Sequence, residues 1–383
     1  MAFTIGVARE TEPGENRVSM VPDVIERLVK QDFEFLIESG AGEASFISDD
    51  EYREAGAQVV PREQIYAADL ITRVHPPSDS ERELLRPGGY LLSFLRPLDD
   101  AEGIQKLADK GVTAFSVEMV PRITRAQKMD ALSAMGAIAG YMSVLVAAGM
   151  LPKFFPMLTT AAGTMRPAKV LILGAGVAGL QAIATARRLG AIVSAYDVRP
   201  VVREEVESLG AKFVELELET AEAAGSGGYA KALDQDKQKD QIQLLIPHLA
   251  QSDVVITTAL IPGRAAPTLI VEDAVKQMDA GSVIIDLAAP NGGNCELTVP
   301  GETVVRHGVT IHGPLNLSSD MPVHASAMYS RTLSAFVSEF VKEGALDLDF
   351  EDAIIAGTCL THDGKVVNER VASLLAVPSE SDN

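Results

Sequence analysis

The residues best suited to chemistry in this sequence form a glycine-rich turn between an apolar segment and a helical one. Gly174-Ala175-Gly176-Val177-Ala178-Gly179 follows the apolar residues Val170–Leu173 and precedes the helical pattern Leu180–Leu189. In such a turn the first glycine permits the tight bend, the second lets a pyrophosphate approach the backbone, and the third lets helix and strand pack closely. The start of the helix offers N–H groups to phosphates. The turn predicts a dinucleotide-binding site, and a tight turn that binds no phosphate is the structural alternative.

An acidic residue follows the next strand pattern, where a ribose-binding carboxylate is expected. Asp197 comes after the apolar segment Ala191–Ala195, close to the usual spacing from the glycine turn. A carboxylate at this position accepts hydrogen bonds from the ribose hydroxyls and repels a 2′-phosphate, so the sequence favours NAD over NADP. Arg199 could instead receive a 2′-phosphate, which leaves NADP as the alternative cofactor.

Strand and helix patterns alternate through the whole chain. A chain of 383 residues exceeds one ordinary core, so two domains are expected. Short apolar segments typical of buried parallel strands are separated by helical patterns. The predicted strands are Phe3–Val7, Phe33–Ile37, Leu70–Val74, Tyr90–Phe94, Val112–Ser116, Val170–Leu173, Ala191–Ala195, Val254–Thr257 and Val283–Asp286. The pattern predicts an α/β fold with parallel sheets.

These elements are expected to form two Rossmann-like domains. We predict a discontinuous first α/β domain, residues 1–135 plus 320–383, and a Rossmann NAD(H)-binding domain, residues 136–319. A long amphipathic helix is predicted at Val323–Glu343, where the chain makes its C-terminal return to the first domain.

One apolar segment requires a membrane-spanning helix to be considered. Gly136–Leu151 falls short of the ~20 residues that span a bilayer, and Pro152 and Lys153 follow it at once. We therefore expect a buried helix and no direct membrane insertion. Arg9 and Glu10 interrupt the apolar start of the chain, so no signal peptide is expected.

Composition limits the partners and the metal chemistry. The chain has 53 acidic and 33 basic residues and a formal net charge of −20. This charge opposes binding to nucleic acid and to anionic lipid. Cys295 and Cys359 lack the spacing of a metal or redox site, so no metal is predicted, and two buried reduced thiols are favoured over a disulfide.

The segment Glu222–Lys239 interrupts the alternation of strands and helices. It is rich in Gly, Ala and charged residues, and long loops in compact domains are usually functional or disordered. Gly225, Gly227 and Gly228 give Gly225–Lys231 a loose backbone, and Tyr229 provides one large amphipathic ring. A lid that closes over a nucleotide and a solvated insertion both remain open.

Four motifs, in order along the chain, resemble the proton-translocating, Re/Si-specific nicotinamide nucleotide transhydrogenases. They are similar to that family's Arg–Gln–Asp loop, its mobile loop and two further signatures. The matching residues are Arg122–Asp130, Gly225–Lys231, Thr257–Gly263 and Gly292–Cys295. The resemblance covers nearly the whole chain and is confined to the NAD(H)-binding component, often called domain I.

The resemblance implies a role for individual residues of this sequence. Catalytic roles are implied for Arg122, Gln127 and Asp130, which with Ser133 would surround the nicotinamide and its ribose. Gln127 would also bridge toward the second nucleotide. The remaining implied NAD(H) contacts are Gly174, Gly176, Val177 and Gly179 at the pyrophosphate, Asp197, Val198 and Arg199 at the adenosine ribose, Gly228 and Tyr229 over the nucleotide, and Thr258 and Leu260 near the adenine.

The resemblance also implies partners. The chain would form a homodimer and would be active only with an NADP(H)-binding subunit and a membrane-spanning subunit that translocates protons. It would lie in the cytoplasm, at the inner face of the cytoplasmic membrane, through these partners. Hydride transfer between two nicotinamides needs no general acid or base, only two C4 atoms held close in the absence of water.

Alanine dehydrogenase has a similar fold and is the alternative. The segments Gly6–Glu10 and Glu15–Val18 resemble both families. The catalytic Lys and His of alanine dehydrogenases fall at His75 and Arg96, whereas the anion-binding Arg17 is present. His75 is able to act as a base near neutral pH, but a structural role is the simpler explanation. A non-catalytic NAD sensor on the same fold is a third possibility.

Overall fold

The computed structural model describes residues 2–217, 235–261 and 263–376. The chain forms two compact units. Unit 1 comprises Met1–Met135 and Ser319–Asn383, and unit 2 comprises Gly136–Ser318. The polypeptide therefore leaves unit 1 after Met135 and returns to it at Ser319.

Strands and helices alternate through most of both units. In chain order the strands are β1 (Phe3–Val7), β2 (Phe33–Glu38), β3 (Gln58–Val60), β4 (Leu70–Thr72), β5 (Tyr90–Ser93), β6 (Thr113–Ser116), β7 (Leu158–Thr160), β8 (Gly163–Met165), β9 (Lys169–Leu173), β10 (Ile192–Tyr196), β11 (Lys212–Phe213), β12 (Val254–Thr257), β13 (Val283–Asp286), β14 (Thr303–Arg306), β15 (Val309–His312), β16 (Val341–Lys342), β17 (Ala345–Leu346), β18 (Cys359–His362) and β19 (Lys365–Val366). The helices are α1 (Pro22–Val29), α2 (Asp49–Glu54), α3 (Arg62–Ile65), α4 (Asp79–Leu84), α5 (Ala101–Asp109), α6 (Ala131–Met150), α7 (Val177–Arg188), α8 (Arg203–Ser208), α9 (Gln235–Ala250), α10 (Glu272–Val275), α11 (Pro322–Phe340), α12 (Ala353–Thr358) and α13 (Glu369–Leu375).

Unit 1 contains a sheet with the strand order of a Rossmann fold. The order is β3-β2-β1-β4-β5-β6, all pairs parallel, followed by antiparallel β18 and β19 at one edge. The direction of strand order reverses between β1 and β4, and ligands of such sheets bind beyond the carboxyl ends of the strands at this point. All the strands predicted in this unit are present, within two residues of their expected ends.

Unit 2 contains a second sheet of the same type, ordered β11-β10-β9-β12-β13-β15-β14. Its pairs are parallel except β14 with β15. Alternate residues of β9 enter opposite cores: Val170 and Ile172 pack into one apolar cluster, and Leu171 and Leu173 into the other. Because both faces are covered, the strand is a continuous apolar run rather than an alternating one. The prediction of an α/β fold with two Rossmann-like domains and a C-terminal return is confirmed.

Three antiparallel hairpins were not predicted, and each has a two-residue turn that ends in glycine. The turns are Glu343-Gly344, His307-Gly308 and Asp363-Gly364, and both residues of each have positive φ. Positive φ at both positions defines the hairpin turn whose twist matches the strands. The predicted helix Val323–Glu343 was therefore too long: α11 ends at Phe340, and β16 and β17 form a hairpin around Glu343-Gly344.

The apolar helix α6 is longer and less buried than expected. It spans Ala131–Met150, and among the described helices it alone is long and apolar enough to cross a membrane by length and composition. Only 39% of its most apolar window is buried within the chain. Val144 and Ala147 pack into the core of unit 2, whereas Tyr141 is exposed. The helix is apolar around its whole circumference, so the sequence pattern does not indicate which face is buried.

The predicted insertion ends earlier than expected. Helix α9 begins at Gln235, so the last residues of Glu222–Lys239 are helical. Gly225–Lys231 lies outside the described residues. Both cysteines are buried and unpaired, as expected, and burial raises the pKa of the Cys295 thiol to about 11.

Candidate functional site

The glycine turn of unit 2 has the local geometry that its sequence predicts. It follows β9 directly, and α7 begins at Val177. Gly174 has a φ of 99°, a conformation that side chains oppose. A methyl group at residue 179 would overlap the Gly174 carbonyl oxygen, so only glycine lets α7 start this close to the strand. Both glycines are thus required by the shape of the turn.

The backbone at Gly176 is open instead of packed. No other part of the described chain lies within 4 Å of the position that a Cβ at residue 176 would occupy. The exposed side chain of Val177 follows it, and the first N–H groups of α7 have no carbonyl partner within the helix. This open backbone next to helix N–H donors suits a bound pyrophosphate.

A glycine of α6 holds the start of α7 from the opposite side, and sequence reasoning missed it. A Cβ at Gly140 would overlap the Ala178 carbonyl oxygen, and one at Gly136 would lie 3.9 Å from the backbone nitrogen of Ala178. The two glycines are four residues apart and share one face of the helix. That spacing was the available sequence signal for a close helix approach.

The carboxylate of Asp197 is already joined to the glycine turn and to Arg199. Asp197 lies directly after β10 and is 8% exposed. Its Oδ2 accepts hydrogen bonds from the Ala175 backbone nitrogen (2.8 Å) and Arg199 Nη2 (2.7 Å). Its Oδ1 accepts from the Arg199 backbone nitrogen (2.8 Å) and Nε (2.9 Å). The two residues that sequence reasoning assigned to the ribose therefore form one ion pair, with Val198 half-buried between them.

The segment after β12 contacts the glycine turn and is held by a buried asparagine. Thr258 Oγ1 donates to the Gly174 carbonyl (3.0 Å), while Leu260 is partly exposed. Asn294 is fully buried, and its side chain bonds to both the N–H (3.1 Å) and the carbonyl (2.9 Å) of Ala259. Sequence reasoning placed Asn294 in a motif without a role. Its contacts identify it as the residue that positions the segment around Thr258.

The Arg–Gln–Asp loop of unit 1 is a short 3-10 helix, Thr124–Met129. Ala126 and Met129 are buried beneath it, whereas Arg122 and Gln127 are exposed. The loop therefore presents an amide and a guanidinium at the surface of its unit.

Asp130 caps helix α6. Its Oδ1 accepts from the Ser133 backbone nitrogen (2.8 Å) and its Oδ2 from Ser133 Oγ (2.6 Å). A structural role as a helix cap is therefore present for both residues. A nucleotide-binding role for Asp130 and Ser133 remains a prediction.

A second polar cluster of unit 1 lies beyond the carboxyl ends of β1, β4 and β5. The guanidinium of Arg17 forms two bonds to Glu15, from Nε (2.7 Å) and Nη2 (2.6 Å). His75 Nε2 lies 2.6 Å from the same carboxylate, and His75 Nδ1 lies 3.2 Å from Arg96 Nη2. Arg17, His75 and Arg96, the positions relevant to the alanine dehydrogenase alternative, thus lie together, and Glu15 neutralises the arginine that would bind a substrate carboxylate.

Gly228 and Tyr229, predicted to cover the nucleotide, lie outside the described residues. Within residues 2–217, 235–261 and 263–376, no group of His, Cys, Asp and Glu side chains is arranged to hold a metal ion.

Comparisons with known proteins identify relatives over the whole length of the chain. The family models for alanine dehydrogenase/PNT match residues 6–139 with the N-terminal domain and 143–369 with the C-terminal domain. The chain is 43% identical to an NAD(P) transhydrogenase subunit alpha chain of Rhodospirillum rubrum, over 95% of this chain and 97% of that protein. Its identity to alanine dehydrogenase 2 of Staphylococcus aureus is 29%, over 98% of each chain. The crystal structure of transhydrogenase from Sinorhizobium meliloti superposes with a TM-score of 0.87 at 42% identity, over 95% of this chain and all of that one.

Proposed function

The chain belongs to the alanine dehydrogenase/PNT family, within the group of NAD(P) transhydrogenase alpha subunits, and on this premise we propose that it binds NAD(H) and exchanges a hydride directly with NADP(H) on a partner subunit. The observation that carries the proposal is the Gly174–Gly179 turn, which is open at Gly176 and joined to the carboxylate of Asp197.

The residues of unit 2 fit an NAD(H) molecule. The open backbone at Gly176 and the N–H groups at the start of α7 would bind the pyrophosphate. Asp197, Val198 and Arg199 would bind the adenosine ribose, with Thr258 and Leu260 near the adenine. Because Asp197 holds Arg199 in an ion pair, the guanidinium is not available to a 2′-phosphate, which supports NAD over NADP.

The residues proposed for the nicotinamide do not include an acid and base pair. When bound, NADH supplies the hydride from C4 of its nicotinamide. The proposed role of Arg122, Asp130 and Ser133 is to orient the ring and its ribose. Gln127, exposed on the 3-10 helix, would align this ring with the nucleotide of the partner. Positioning of this kind is sufficient for hydride transfer between two nicotinamides, because neither ring gains or loses a proton.

The proposal includes the other components of a transhydrogenase. NADP(H) would be bound by a separate subunit, and a membrane-spanning subunit would translocate protons. This chain would form a homodimer and would be held at the inner face of the cytoplasmic membrane through these subunits. The name subunit alpha of its relatives supports a complex of several subunits.

Two measurements test the proposal. Fluorescence titration of the full chain should give tight binding of NADH, and stopped-flow mixing with an NADP⁺-loaded partner subunit should give oxidation of that NADH. Absence of transfer with every combination of partner subunits would contradict the proposal. Oxidation of alanine with NAD⁺ by the chain alone would instead support the amino-acid dehydrogenase alternative.

A further inference from the structure

The 3-10 helix Thr124–Met129 is tied to the C-terminal segment of unit 1 by two cations. Arg125 Nη2 lies 2.6 Å from Asp352 Oδ1 and 2.5 Å from Oδ2, and its Nη1 lies 3.4 Å from Glu339 Oε1. Lys128 Nζ lies 3.0 Å from Glu339 Oε2. Both carboxylates belong to the segment that returns to unit 1 more than 200 residues later: the sequence separations are 214, 227 and 211.

The two carboxylates are held more firmly than those of an ordinary surface ion pair. Asp352 also caps α12, since its Oδ1 accepts a hydrogen bond from the Ile354 backbone nitrogen (2.8 Å). Glu339 lies in the last turn of α11 and bonds to both cations at once. Asp352 is 17% exposed and Glu339 26%. Their positions are therefore set by two helices and not by the loop that they contact.

The geometry of a 3-10 helix makes this anchor relevant to Gln127. With three residues per turn, residues 125 and 128 lie directly above one another on one side of the helix. Gln127 lies on another side and is exposed. The two cations thus set the rotation of the short helix about its own axis, and that rotation determines where the amide of Gln127 points.

We propose that Arg125, Asp352 and Glu339 are positioning residues for hydride transfer, because they fix the orientation in which the 3-10 helix presents Gln127. The inference rests on the proposed function, which makes Gln127 the residue that aligns the two nicotinamides. The anchor has little effect on NADH affinity, because most of the proposed nucleotide contacts are in unit 2.

The test compares matched variants of two similar ion pairs. Arg125→Gln removes the cation but keeps a long polar side chain, and Arg125→Lys restores the charge. Lys153→Gln is the control: Lys153 pairs with Asp253 at 2.6 Å, with side-chain exposures of 48% and 16% against 46% and 17% for Arg125 and Asp352. Asp253 also accepts a backbone hydrogen bond, from Lys169, as Asp352 does from Ile354.

In the complex with the NADP(H)-binding subunit, Arg125→Gln should slow single-turnover hydride transfer by roughly 10- to 100-fold, the cost of a displacement of about 1 Å. The Kd for NADH should stay within about threefold, Arg125→Lys should recover most of the rate, and Lys153→Gln should leave it unchanged. Amide exchange of residues 124–129 should accelerate in Arg125→Gln and not in Lys153→Gln.

The outcomes separate this inference from the proposed function. Equal transfer rates in Arg125→Gln and Lys153→Gln, with transfer by the unmodified chain intact, would overturn the positioning role alone. A parallel loss of NADH affinity and transfer rate in Arg125→Gln would also overturn it, because the anchor would then act on binding. Absence of transfer by the unmodified chain would refute the proposed function and this inference with it.

Discussion

Replacing Asp197 by asparagine should reduce both NADH affinity and discrimination against NADPH. Four hydrogen bonds end on this carboxylate, two of them from the Arg199 side chain. Asparagine keeps one acceptor for the Ala175 N–H but loses the charge that holds the guanidinium. NADH loses a charge-assisted bond to its ribose, worth about 1.5–3 kcal/mol. This corresponds to a roughly 10- to 150-fold increase in the Kd for NADH.

NADPH should respond differently to the same substitution. The variant no longer repels the 2′-phosphate, and Arg199, released from its ion pair, can bond to it. The gain is of the same size as the lost ribose bond, so the Kd for NADPH should change little. The ratio of the two Kd values, NADPH over NADH, should therefore fall by roughly 10- to 150-fold.

Arg199→Ala provides the opposite perturbation. It leaves the charge of Asp197 without its cation while the bond to the Ala175 N–H remains. Repulsion of the 2′-phosphate then increases, so the NADPH/NADH ratio should rise. Fluorescence titrations of both cofactors with both variants decide the matter. If the two substitutions shift the ratio in the same direction, the ion pair does not control cofactor choice and the reasoning is refuted.

Three further predictions concern other regions of the molecule. Gln127→Asn should lower NADH affinity only modestly and slow transfer to the partner much more; unchanged transfer with collapsed binding in stopped-flow measurements would assign the residue to ground-state binding. Amide exchange across Gly225–Lys231 should slow when NADH binds, and equal exchange in both states would contradict the predicted lid. Burial by itself would raise the pKa of Glu15, but hydrogen bonds from Arg17 and His75 outweigh it and hold the pKa far below its usual 4.5. The stabilisation is complete above about pH 4.5 and is lost as the pH falls toward the folded-state pKa. Glu15→Gln should therefore lower the free energy of unfolding by about 3–5 kcal/mol at pH 7, in urea titrations, and by much less at pH 3; an equal difference at both values would contradict this.

Features set by neighbouring residues were predictable from the sequence. The glycine turn needs Gly174 for its positive φ and Gly179 for a contact only five residues away, so the motif contains its own geometry. The apolar run of β9 indicated burial on both faces before the two cores were seen. The three missed hairpins were also encoded locally, since each turn ends in glycine after a residue that can adopt positive φ.

Contacts between distant segments were decided only by the tertiary structure. The sequence identified Asp197 and Arg199 as competing ribose residues, but it could not show that they form one ion pair with the glycine turn. It identified the loop around Gln127 without its anchor, because Asp352 lies 227 residues from Arg125. Charged residues on a surface have many possible partners, and their spacing along the chain does not select one.

The buried face of α6 depended on tertiary structure for a related reason. An all-apolar helix has no polar side from which its orientation can be inferred, so the contact of Gly140 with Ala178 was invisible in the pattern. Local conformation follows from the allowed backbone angles of a few adjacent residues. The partner of a given side chain depends on how the whole chain folds, and the same residues in another topology would meet different neighbours.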